Sequence, residues 1–466
     1  MAGIQVIQRH LDQALHDPRS QKRVLWILCA LSLVFVIASI PAKTRMGYGH
    51  PLLPPRDDPF GHYVYMPALL LHHNVQFQSL LERYIEQNPS PAHVDRPGLA
   101  AQIQQPAKQA LLRKKFTNYW SVGHAVLLSP FFIAGQSISF LLSKCGVQVD
   151  LDGFAWPNQV STAIGVILLF FFALSRFHDL LVARFGCHVA GPLSLVAFAG
   201  TFFLNYTLNE QYMAHASTFF ASVFYLRALV DINNGQDAPL QFGIAAFWLG
   251  LIILVRPQNA LLCFPLLALF LVVAIKRQHR HLHHSLWIKR CMLLTLLGGS
   301  ICLIQFVLWK HIFGKWTFLP QGDGFLDLRS PSITAVLFGK RHGFFYWHPF
   351  LLLGAGITLL HLLRHGLRSM ANGLLCGTLL SCLCITYLNA CAADWWAGTS
   401  FGARRFDGLI VFILYACAHG LSRLSRHRPR LQNVTILAYC FGAILWNGTI
   451  WLVYLFDLSP FNFPKS

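Results

Sequence analysis

Apolar runs alternate with short polar connections along most of the chain, at residues 24–42, 155–175, 188–206, 212–230, 240–255, 257–275, 291–312, 348–363, 371–391, 407–421 and 433–456. Most come close to the ~20 residues a helix needs to cross the hydrocarbon of a bilayer. A soluble fold has no use for so many. The pattern predicts an all-α integral membrane protein with about eleven transmembrane helices.

The connections sort by charge. Counted from a cytosolic N-terminal segment, 1–23, the even-to-odd connections carry Arg176 and Arg184, then Lys276, Arg277, Arg280, Lys289 and Arg290, then Arg364 and Arg368, then Arg423, Arg426, Arg428 and Arg430. Each satisfies the positive-inside rule. One further apolar stretch, 121–143, would as a span put the Arg176–Arg184 loop on the wrong side, so it is expected to lie along or dip into the outer interface. The first span, 24–42, follows Arg19, Lys22 and Arg23 and has no convincing small-residue cleavage site, so it reads as a retained anchor.

The outer face then holds a first loop, 43–154, with juxtamembrane helices and the acidic motif; the multi-span transmembrane body, 155–456, adds outer loops 313–347 and 392–406, and an outer tail follows at 457–466. The first loop is far longer than an ordinary connection. Asp57 and Asp58 open a stretch through Leu71 that suits a short amphipathic surface helix capped by the aspartates. Residues 84–108, rich in Pro, Gln and Ala, read as a mobile lid.

Composition agrees with this layout: 55% hydrophobic, 12% charged, mean hydropathy +0.49. The formal charge of +19 does not point to nucleic acid, because the basic residues sit in short loops beside spans and no basic-aromatic module is present. His279, His281, His283 and His284 lie on the basic side without carboxylate or cysteine neighbours and read as a solvated loop. Most of the 12 cysteines fall inside apolar spans, where Cys behaves as a small hydrophobe.

Carboxylates, arginines and aromatics instead gather in the outer segments. Gly, Trp, Arg and Asp interleaved at a bilayer edge suit a pocket for a polar, charged headgroup. Transfer of a sugar from a polyprenyl-phosphate carrier gives each type a purpose. An acceptor hydroxyl needs a carboxylate as general base. The departing phosphate gains charge and needs fixed cations, which Arg supplies with bidentate geometry. Trp and Tyr offer sugar-stacking faces at the interface.

At these residues the chain resembles a family. The order of parts is similar to the GT-C-type, lipid-carrier-dependent glycosyltransferases, the superfamily of protein O-mannosyltransferases and lipid A aminoarabinose transferase. Asp58-Pro59-Phe60-Gly61-His62-Tyr63-Val64-Tyr65 looks like the acidic, Tyr-bearing motif of a poorly characterised bacterial branch. So do Asn118-Tyr119-Trp120-Ser121-Val122-Gly123 with Pro130-Phe131-Phe132, though Trp120 stands where Pro is expected. Leu254-Val255-Arg256-Pro257-Gln258-Asn259, Gly339-Lys340-Arg341-His342-Gly343-Phe344 and Asp394-Trp395-Trp396 with Phe401-Gly402-Ala403-Arg404-Arg405 look like it too.

The resemblance implies an enzyme of the bacterial inner membrane, acting at the extracytoplasmic face. It would move a sugar from a polyprenyl-phosphate donor to a lipid, glycan or protein acceptor by direct displacement with inversion. On that reading Asp58 is the base, with Asp57 as cap, supporting group or alternative base. Arg404, Arg405 and Arg256 bind the donor phosphate. His62, Tyr63, Tyr65, His215, Asp394, Trp395, Trp396, Arg341 and His342 line the substrates. A divalent metal between Asp57 or Asp58 and the phosphate is compatible with the sequence. Structural alternatives stand beside these roles: an N-cap for Asp58, snorkelling for Arg404 and Arg405, a helix-turn role for Arg256, a satisfied polar residue for His215, belt aromatics for Trp395 and Trp396. The rival class is a multi-span transporter or lipid flippase, disfavoured because no acidic residue falls mid-span.

Overall fold

The computed structural model describes residues 17–45, 57–87, 116–236, 238–278, 289–290, 292–322, 324–365, 370–398, 401–423 and 429–456. Residues 88–108 of the expected lid, histidines 279, 281, 283 and 284, Asp323 and the tail 457–466 lie outside the described residues, as does the Asp57 side chain. Among the described residues the regular structure is helical, with one isolated bridge between Leu326 and Ala392.

Among the described residues, six helices are long and apolar enough to cross a membrane: Pro18–Ile40, Gly123–Lys144, Trp156–Phe185, Leu296–Phe313, Gly373–Ala390 and Leu431–Leu455. The chain therefore has the character of a multi-pass membrane protein. Other expected spans are shorter helices, Cys187–Ala199, Pro239–Val255 and Pro349–Arg364 among them. The helix Asp407–Leu421 has 15 residues, which reach about 22 Å, short of the ~30 Å hydrocarbon. It is buried along nearly its whole length against Pro349–His365 and His215–Asn233, so it meets helices rather than lipid.

The structure bears on three sequence expectations. The stretch 121–143 forms one 22-residue helix, Gly123–Lys144, which length and composition alone would admit as a span. It packs as a hairpin on Trp156–Phe185, with Ser139 Oγ donating to Asn158 Oδ1 at 3.0 Å and Ser161 Oγ to the Phe131 carbonyl at 2.6 Å. Second, Arg176 and Arg184 are not in a loop. The helix from Trp156 runs on to Phe185 and turns only at Gly186, whose φ of 85° is easy for a residue without Cβ. Third, the segment after Asp57 is no amphipathic surface helix. It forms two short helices, Asp57–Tyr63 and Tyr65–Leu70, and residues 60–68 are all buried.

The run 188–206 is also broken, into Cys187–Ala199 and Phe203–Leu208. A helix end inside an apolar bundle leaves carbonyls without water. The buried Asn447 amide answers two of them, donating to Ala199 O at 2.8 Å and Thr201 O at 2.9 Å.

The bundle has two chemically distinct ends. At one, Lys22 pairs with Asp179 at 2.6 Å and Arg423 meets His361 at 2.8 Å, so basic residues from separate connections share an end. At the other, the outer segments of the sequence reading converge. Loop 325–332 runs beside 390–393, with Asp327 N donating to Cys391 O and Ala393 N to Phe325 O, both at 2.8 Å.

Candidate functional site

The helix Asp57–Tyr63 is held by its aromatics. Phe60 stacks with Phe154 at 6.0 Å between ring centres, meets Phe116 edge-on at 5.5 Å and Tyr84 at a tilt at 5.6 Å, and Tyr63 donates its hydroxyl to Gly153 O at 2.6 Å. Tyr65 donates to Trp120 O at 2.9 Å. Both tyrosines are fully buried and spend their hydroxyls on backbone. They hold the segment in place rather than face an opening.

This anchoring presents Asp58, whose two oxygens are both engaged by distant side chains. Oδ2 accepts from Arg404 Nη1 at 2.6 Å, and Oδ1 accepts from the Trp120 indole at 2.7 Å. The cap expectation for Asp58 is thus replaced by an ion pair. Side-chain exposure is 29% for Asp58 and 12% for Arg404. Burial pushes the Asp58 carboxyl up, but the Arg404 guanidinium, the indole N–H and the more distant Arg256 outweigh it and hold the group well below the ordinary carboxylate range.

Arg404 is fixed from behind: its Nε and Nη2 both donate to the Ala397 carbonyl, at 3.0 and 2.7 Å. Ala397 has φ +58°, strained for a residue with a side chain, and Gly398 and Gly402 also have positive φ. The turn that carries Trp395 and Trp396 is therefore bent to aim one carbonyl at one arginine. Arg404 Nη1 also lies 3.9 Å from Met213 Sδ.

The neighbouring Arg405 turns to Asp394, Nη2 to Oδ1 at 2.5 Å, and lies 5.8 Å from the Phe325 ring centre. Arg341 lies 4.5 Å over the Trp396 ring, a cation–π contact. His342, at φ +63°, meets the Trp396 carbonyl through Nδ1. Trp395 and Trp396 stand edge to face. Burial pushes the His342 imidazole down to about 4. His62 is likewise pushed down to about 4 by burial, against the pull of Asp58, and its Nδ1 lies 3.2 Å from Ser121 O.

The third arginine, Arg256, sits in extended backbone between the helix Pro239–Val255 and the turn Pro257–Leu262. Its Nε is 3.4 Å from Asp407 Oδ2, and Nη1 is 3.1 and 3.3 Å from the two His215 nitrogens. With its amide oxygen facing the guanidinium, Gln258 accepts from Nε and Nη2 at 2.8 and 2.7 Å. His215 Nδ1 is 2.9 Å from Asp407 Oδ2.

The structure thus draws Asp58, Arg404, Arg405, Asp394, Arg256, His215, His62, Arg341, His342, Trp395 and Trp396 to one end of the bundle. Asp57 opens the first short helix with its backbone only in view. Sequence reasoning missed Trp120, taken only as a departure from Pro, and Asp407, which opens an apolar helix. A carboxylate opening a run as apolar as 408–421, two residues after a pair of arginines, was the available signal. Among the described residues no group of three or more His, Cys, Asp or Glu is placed to hold a metal ion. No protein-family model matches the chain, and no curated protein matches it.

Proposed function

We propose that the protein is a membrane glycosyltransferase that moves a sugar from a polyprenyl-phosphate donor to an envelope acceptor at the outer face of a bacterial inner membrane. The observation that carries the reading is the Asp58–Arg404 pair, built from two segments 346 residues apart and flanked by Arg405, Arg256 and a cation-covered Trp396. A carboxylate and a guanidinium in contact at a partly open site offer a base and a phosphate ligand together.

The pairing itself constrains the chemistry. A carboxylate held so far below its ordinary range is a weak base. Donor phosphate competing for Arg404 would take the guanidinium's Nη1 and return basicity to Asp58. The acceptor hydroxyl oxygen then attacks the anomeric carbon, the carbon–oxygen bond to phosphate breaks, the electron pair leaves on the phosphate, and the hydroxyl proton goes to Asp58. Arg404, with Arg405 from beside it, meets the added negative charge. Tyr63 and Tyr65 act only by positioning the Asp58 segment.

The test is radiolabelled sugar transfer from polyprenyl-phosphate donors to lipid and glycan acceptors by purified protein in vesicles, run beside uptake of the same substrates. Transfer without uptake supports the reading. Uptake or lipid translocation without transfer replaces it with a transporter or flippase.

A further inference from the structure

Asp407 has no part in that mechanism, yet it is the most completely enclosed carboxylate of the site. Both it and His215 have no exposed side-chain surface. Oδ2 faces His215 Nδ1 at 2.9 Å and Arg256 Nε at 3.4 Å, while Oδ1 accepts from Gly408 N at 2.8 Å and Asn259 Nδ2 at 3.3 Å. Nothing from outside can reach it, so it touches no substrate. Taking a carboxylate fully out of water costs several kcal/mol unless partners return that energy, and here each oxygen has two. The helix N-terminus that Asp407 opens adds a favourable dipole.

What this carboxylate holds is not itself enclosed. Arg256 keeps 15% of its side chain exposed, and its charge is felt at Asp58 and His62. Met213, two residues before His215, touches Arg404. The His215 ring packs 4.1 Å from Tyr206, whose hydroxyl donates to Phe401 O in the turn that leads to Arg404. The enclosed cluster therefore backs directly onto the Asp58–Arg404 pair.

We infer that Asp407 is a positioning residue: with His215 and Asn259 it fixes the Arg256 guanidinium as a further ligand for the phosphate of a polyprenyl-phosphate donor, beside Arg404. The inference rests on the proposed transferase reading. It gives a purpose to a buried charge that helix packing alone does not require, since an apolar residue would fill the same space at lower cost.

The test uses the full chain in vesicles, with binding of undecaprenyl phosphate and steady-state transfer as separate readouts. Asp407→Asn keeps the shape and removes the charge. The expected result is a donor KM raised on the order of tenfold with kcat changed far less, and undecaprenyl phosphate binding weakened by the same factor. Arg256→Gln should show the same split, and the double variant should be no worse than Arg256→Gln alone, because Asp407 acts through Arg256. Should Asp407→Asn fail to fold, Asn259→Ala leaves every charge in place and is expected to raise the same KM about threefold. Unchanged donor KM and lipid-phosphate binding in a folded Asp407→Asn, or in Asn259→Ala where that variant decides, overturns the inference and leaves the transferase reading standing. Absence of both transfer and undecaprenyl phosphate binding in the wild type overturns both.

Discussion

The two ends of the bundle use the same residue types to opposite effect. At the basic end, Lys22 and Asp179 pair with roughly a third of each side chain exposed, and Arg176–Asp179 and Arg227–Asp231 are pairs three and four residues apart on their own helices. At the other end Asp58–Arg404 and His215–Asp407 join segments 346 and 192 residues apart; Arg404 is 12% exposed, Asp58 keeps 29%, and neither His215 nor Asp407 has any exposed side-chain surface. Exposed pairs of the first kind contribute about 0–1 kcal/mol, whereas an enclosed charge left without its partner costs about 3–5 kcal/mol. Topology alone accounts for the basic end, since loop charge orients spans whatever its pairing. It does not account for the other, where each of three arginines has its own aspartate.

That contrast breaks most decisively at Asp58. Asp58→Asn keeps the indole acceptor but removes basicity, and transfer by the purified protein is expected to fall roughly 10²–10⁴-fold. Arg404→Ala should lower transfer comparably and, by leaving Asp58 unpaired, also lower the melting temperature, which Asp58→Asn should do less. Wild-type turnover in Asp58→Asn would move the base elsewhere and reduce the pair to a structural latch.

A smaller effect is expected at Gly61, where a Cβ would lie 2.1 Å from the Trp120 ring. That ring is stacked on Tyr119 at 3.9 Å, so it has little room to retreat. Gly61→Ala should displace the indole from Asp58 Oδ1, cost about 1–3 kcal/mol of stability and lower transfer about tenfold. Trp120→Phe, which removes the N–H and keeps the stack, should reproduce the activity loss with a smaller stability loss. Wild-type activity in both variants would show that the indole bond does not matter to the site.

The enclosed end should also be the more sensitive to acid. His62 and His342 titrate near 4 when folded and near 6.5 when unfolded, because burial disfavours their charged forms. The unfolded chain then takes up protons first, so stability is full above about 6.5 and is lost as pH falls toward 4, on the order of 3 kcal/mol per histidine at most. Asp58, depressed in the fold, adds its own loss only below the ordinary carboxylate range. Thermal melts of His62→Gln in detergent should be flatter than wild type between pH 6.5 and 4. An equally steep slope would mean that His62 is hydrated and charged in the fold.

Much of this architecture could be read from the sequence, and the failures have physical causes. Apolar runs located helices because lipid and packed helix faces make the same demand on composition. They did not give lengths: Asp407–Leu421 stays short because neighbouring helices cover it, and Trp156–Phe185 runs past its apolar part because Arg176 and Arg184 extend from a helix as readily as from a loop. Asp58, Arg404, Arg405 and Asp394 were legible as charges in outer segments. Their pairing was not, since a contact between positions 58 and 404 depends on how the whole bundle closes. Tyr63 and Tyr65 misled for a related reason, because a motif tyrosine can spend its hydroxyl on backbone as well as on a ligand.

The smallest expected effect tests the other end. Asp179 receives Lys22 at 2.6 Å and Arg176 at 3.6 Å, and its helix lies against the start of the first long helix, where the neighbouring Gln21 bonds His178 at 2.8 Å. If exposure decides what an ion pair contributes, Asp179→Asn should cost less than about 1 kcal/mol, because water and counterions replace both partners and the amide still accepts a hydrogen bond. Raising salt should shrink even that difference, while the His215–Asp407 pair, with no exposed side-chain surface, should respond little. Transfer should be unchanged, since the site lies at the opposite end of the bundle. A loss of several kcal/mol, or of activity, on Asp179→Asn would mean that the two ends differ in residue pairing but not in energetic weight, and the contrast drawn from their exposure would fail.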